Sequence, residues 1–126
     1  MKMDPKIQKS LDLAMKVNKK SGDTVKKDGG KILKEDKGAA KVIKVAQDAS
    51  KKAEIIFKKI TSAKDPKEAK KLAEELLKLM KQQEKIGKEI QKMDAKKKEV
   101  QAMQQAMTQI IKAQQQASMA IIKNIK

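Results

Sequence analysis

Two groupings of side chains in this sequence are dense enough to suggest chemistry. Lys96-Lys97-Lys98 puts three ammonium groups at consecutive positions. Such a run can neutralise phosphates, although on a helix it is equally an ordinary solvated face. Asp23 and Asp28 are the nearest approach to a carboxylate site for calcium or magnesium, but they are sparse and stand among lysines. The rest of the usual toolkit is missing. There is no Cys, His, Trp or Tyr, no Arg occurs, and Phe57 is the only aromatic residue. Catalysis at neutral pH usually draws on His, Cys, or carboxylates and lysines with shifted pKa values in a closed pocket. Without His and Cys, the common zinc and copper ligand sets are excluded as well. The sequence therefore predicts no catalytic residue, metal site, cofactor or small-molecule substrate.

Thirty-two basic residues, all lysine, face sixteen acids, for a net charge of +16. That excess favours acidic partners: nucleic acid, another polyanion or an acidic protein. Lysines spread over every segment give salt-dependent, sequence-blind binding to phosphates. Base reading is not expected, because Arg is the usual bidentate reader of guanine and aromatics are the usual stacking platform. A basic amphipathic helix lying on an anionic membrane is a weaker alternative. The longest uncharged run, Val100 to Ile111, is too short and too rich in Gln for a membrane span, and no segment reads as a signal peptide. The expected setting is cytoplasmic, or exported by a machine that needs no cleavable signal.

A different kind of signal lies in residues 101–126, which hold no acid, only three lysines, and many Gln, Ala, Met and Ile. An apolar stripe of Met103, Ala106, Ile110, Ala113, Ala117 and Ala120 runs beside a heptad seam that ends in Ile121 and Ile125. Two adjacent stripes are more apolar surface than one partner helix covers, so these residues are the expected assembly face of a homo-oligomer.

The elements that position these groups are helical. Lys, Ala, Gln, Ile, Leu and Glu dominate and no stretch shows strand alternation, so the class is all-α and the chain a single domain. Asp4-Pro5 starts a short helix expected over 5–20, and Ser21-Gly22-Asp23 with Asp28-Gly29-Gly30 reads as a Gly-rich loop over 21–30. A second helix is expected over 31–63, with Ile32, Ala39, Ile43, Ala46, Ala53, Phe57 and Ile60 as its seam and Val42, Ala49 and Ile56 widening it. Asp65-Pro66-Lys67-Glu68 is the sharpest local signal: Asp65 caps, Pro66 opens a helix and Glu68 reaches back, making a tight turn over 64–66. From Pro66 a heptad frame (Leu72, Leu76, Leu79, Ile86, Ile90, Val100, Met107, Ile111) runs to the end of the chain, with Gln83, Lys97, Gln104, Gln114 and Ser118 as exceptions. One helix over 66–126 would be about 90 Å long. The expected shape is an elongated antiparallel hairpin with a short N-terminal helix beside its C-terminal end. The alternative is a three-helix bundle, with the last helix split near Asp94.

Phe57-Lys-Lys-Ile60, Ala63-Lys-Asp-Pro66, Leu72-Ala-Glu-Glu-Leu76 and the closing Ala120-Ile-Ile-Lys-Asn-Ile-Lys126 resemble the needle subunits of type III secretion systems. The resemblance covers the second half of the chain, which is longer and more basic than such subunits. It implies a helical hairpin with a Pro-containing turn that polymerises into a hollow filament. The functional expectation is a non-enzymatic, self-assembling structural subunit; the alternative is a lysine-rich protein that binds or packages nucleic acid.

Overall fold

In the computed structural model, which describes residues 3–93 and 97–124, the chain forms four helices. They are α1 (Pro5–Glu35), α2 (Ala40–Thr61), α3 (Pro66–Gln91) and α4 (Lys98–Asn124). The all-α class read from composition holds. Each helix packs on the next and α4 closes back on α1, so the order around the bundle is α1-α2-α3-α4. Neighbours run antiparallel, and α1 against α4 is the most extensive interface.

Two of the helix starts follow from local chemistry. The Asp4 carboxylate accepts the Lys6 amide at 2.8 Å with Pro5 in the first turn. Asp65 accepts the Glu68 amide at 2.8 Å, and Glu68 reaches back to the Lys64 amide at 3.1 Å, one residue beyond the cap itself. The tight hairpin between α2 and α3 therefore forms where the sequence puts it.

The first helix is much longer than expected. It runs through the stretch read as a Gly-rich loop over 21–30, and no glycine among the described residues has positive φ. Glycine within a helix costs about 1 kcal/mol relative to alanine, and burial outweighs that here. Asn18, Ser21, Val25, Gly29 and Ile32 continue the inward face begun by Ile7, Leu11 and Ala14. Gly29 earns its place by close approach: a Cβ there would lie 2.9 Å from Ile43 Cγ2 and 3.1 Å from Gln47 Nε2. A Cβ on Gly30 would meet nothing within 4 Å. Gly30→Ala is therefore expected to add about 0.5–1 kcal/mol of stability, and Gly29→Ala to add none or to destabilise. Equal gains in reversible denaturant melts of the two variants would show that α1 and α2 do not meet this closely.

The helix expected over 31–63 is divided. α1 ends at Glu35, and the Asp36 carboxylate accepts the Gly38 amide at 2.9 Å, capping a 3-10 turn over Lys37–Ala39 before α2 begins. The helix expected over 66–126 is likewise broken between Gln91 and Lys98, where Lys92 and Met93 donate to Glu89 and Ile90 in tightened turns. That break lies where the alternative reading split the helix; Asp94 itself falls outside the described residues. Both arms of the hairpin are thus folded over at one end of the bundle. The fold-over keeps the neighbours of a straight hairpin: Glu35 pairs with Lys97, and Gly29 lies beside Met103.

Small residues set how closely the helices approach. Ala46, Ala49 and Ala53 are buried along α2, and Ala106, Ala113 and Ala117 along α4. Larger side chains fill the remaining layers, with Phe57, Leu11, Ile60, Leu76, Ile90 and Ile110 fully enclosed.

Candidate interaction surfaces

The apolar stripe expected to face neighbouring subunits lies inside the chain's own core. Met103, Ala106, Ile110, Ala113, Ala117 and Ile121 are all buried, Ala120 is half-buried, and Ile125 lies outside the described residues. The length of α1 is the cause. A helix of 31 residues packs extensively on α4, and α3 packs on it as well, so α4 has two partner helices within the chain. As an assembly face, this set of residues is corrected to a core.

Three of the heptad exceptions sit in the core too, while Lys97 and Gln104 are half-buried. Gln83 and Gln114 are 0% exposed, Ser118 is fully buried, and Asn18 on α1 joins them. Both side-chain polar atoms of each Gln, the Asn18 carbonyl oxygen and the Ser118 hydroxyl have no hydrogen-bond partner. Leaving such groups unpaired costs about 1–3 kcal/mol each, so these positions lower the stability of an otherwise apolar interior.

Two lysines of the run are described, and they differ in their surroundings. Lys97 forms an ion pair with Glu35 at 3.5 Å and ties the start of α4 to the end of α1. Lys98 is exposed, and Lys96 lies outside the described residues. Positive charge is distributed over whole helix faces. α1 carries nine lysines against four acids and α2 six against two, whereas α3 carries seven against five and α4 only three against one. Every described lysine is exposed except the half-buried Lys97. Three ion pairs form among the described residues: Lys58–Glu54 at 3.6 Å, Lys92–Glu89 at 3.3 Å and Lys97–Glu35.

The outward face of α4 is different in kind. Gln101, Gln105, Thr108, Gln109, Gln115 and Gln116 are exposed, and Lys112 is the single charge between Glu99 and Lys123. Between α4 and α1 lies an open groove of ≈ 800 Å³ whose walls include Ser21, Thr24, Gln105 and Gln109. Sequence reasoning counted these glutamines without assigning them a face, because their direction depends on which stripe of α4 turns inward.

Asp23 and Asp28 both lie on α1, five residues apart, so they point about 140° away from each other. Among the described residues no three acids gather to hold a metal ion. No helix among them is long and apolar enough to cross a membrane. Comparison with known protein families, with curated proteins and with solved structures found no match.

Proposed function

We propose that this protein is a non-enzymatic binding module that holds polyanions, nucleic acid first among them, on the lysine-rich surface of α1, α2 and α3. One observation carries the reading. The described lysines reach solvent with only three ion pairs among them, while most of the apolar residues of α4 are enclosed. The absence of His and Cys and the divergence of Asp23 and Asp28 support a role without catalysis. Lysine presents a point charge without the planar fork of Arg, so the surface neutralises phosphates and does not discriminate bases.

The test is binding to random-sequence duplex DNA across a salt series. With about four phosphates neutralised, affinity should fall on the order of 10²-fold between about 50 and 200 mM salt, with equal affinity for duplexes of different sequence. Absence of binding at the lowest salt would remove the reading and leave the lysines as a solvated surface.

A second reading, the structural subunit suggested by the likeness to secretion needles, is favoured by the outer face of α4. In a molecule of net charge +16, a face of glutamines lets two copies meet without strong repulsion, and interface centres are depleted of charge. A protein that sediments as a monomer at high concentration would end this reading.

A further inference from the structure

The opposite side of the bundle has a groove between α2 and α3 whose apolar floor neither reading uses. Val42, Val45 and Ile56 line it from α2, and Leu79 and Ile86 from α3. Gln82 belongs to both of its halves, which measure ≈ 360 and ≈ 620 Å³. The groove exists because α2 turns its alanines inward, leaving its larger branched residues on the flank. Val42, Val45 and Ile56 are only half-buried, and Ile55 beside them is 52% exposed. Along the rim stand Lys41, Lys52 and Lys59 on one side and Lys78, Lys85 and Lys88 on the other. The acids there are Glu75 and Glu89, and Glu89 is already paired with Lys92.

We propose that this groove docks an acidic amphipathic helix of another protein. From Lys41 to Lys59 the channel is about 27 Å long, the rise of about 18 helical residues. Its two apolar halves are centred near Val45 with Ile86 and near Ile56 with Leu79. Along α3 and α2 those centres are about 10 and 16 Å apart, two to three helical turns. The occupant therefore presents apolar anchors at i and i+7 or i+11, flanked by carboxylates that meet the lysines. Charge selects the class of partner. A second copy of this chain has no helix rich in acids to set against the lysine rim, since lysines outnumber acids on each of its four helices. Nucleic acid satisfies the lysines but has no apolar ridge to fill the floor.

The test uses the full chain and a labelled amphipathic peptide of about 18 residues, with Leu along one face and Glu elsewhere. A scrambled peptide of the same composition, duplex DNA and phosphatidylglycerol vesicles are run beside it. The amphipathic peptide should bind at least about ten-fold more tightly than the scrambled one. Val45→Gln with Ile55→Gln removes apolar surface from both halves without altering charge. It should weaken the peptide about ten-fold while leaving DNA affinity unchanged. Both positions are solvent-accessible, so the variant should keep its helicity by circular dichroism. Equal affinity for the two peptides overturns the proposal, because charge alone would then be binding. Vesicle binding that the variant weakens, without discrimination between the peptides, also overturns it and assigns the groove to a lipid surface.

Discussion

Placing glutamates at Ala113 and Ala117 together is expected to abolish the folded state. The two residues are 5% and 1% exposed, on the face of α4 enclosed by its neighbours. A carboxylate stranded in an apolar contact costs several kcal/mol, and no described lysine is buried in this layer. Two such charges approach the entire stability of an ordinary domain, about 5–15 kcal/mol. Circular dichroism should show loss of the cooperative thermal transition and most of the helicity. The contrary outcome is equally clear. A double variant that stays helical and melts like the wild type, but loses an oligomer the wild type forms, would put this stripe between subunits.

Phe57→Ala is the second substitution of large effect. Phe57 is 1% exposed, and the buried positions around it on α2 are mainly alanine or serine, so Phe57, Ile43 and Ile60 hold α2 to the bundle. Truncating a buried Phe to Ala costs about 3–5 kcal/mol in transfer and cavity terms. The loss should register as a lower denaturant midpoint, and amides of α2 should exchange faster relative to those of α4. A loss below about 1.5 kcal/mol would mean that the bundle collapses around the gap and that α2 is not anchored there.

How much of this could be read beforehand depended on how local each signal is. Asp4-Pro5 and Asp65-Pro66-Lys67-Glu68 act within a single turn of chain, and both begin helices where expected. The heptad frame held in part: Gln83, Gln114 and Ser118, polar exceptions to it, occupy core positions, whereas Met93, Lys97, Gln104 and Ile111 are only half-buried. What failed was punctuation. Gly22, Gly29 and Gly30 disfavour helix locally, but the inward spacing of Ser21, Val25, Gly29 and Ile32 continues unbroken, and tertiary burial decides. The opposite error fell after Gln91, where α3 ends and the sequence up to Lys98 holds neither Pro nor Gly. The assembly face followed from the first error. Once α1 was cut short at 20, the second stripe of α4 had no partner and had to be assigned to a neighbour. The groove residues Val42 and Ile56 were noticed as widening a seam, but only the placement of α3 makes them a surface.

The closure of α4 onto α1 has a consequence for how the molecule comes into being. Its largest interface joins the first and last helices of the bundle, so the most rewarding contact requires the longest loop within it to close. During synthesis the α2–α3 hairpin is complete while α1 still lacks its principal partner. A helix kept waiting with an inward face of Leu or Phe would invite aggregation. The waiting face of α1 includes Asn18, Ser21 and Gly29 between its aliphatic residues, so the nascent chain exposes a small and partly polar stripe until α4 arrives. On this account, Asn18, which weakens the finished bundle, helps protect the unfinished one.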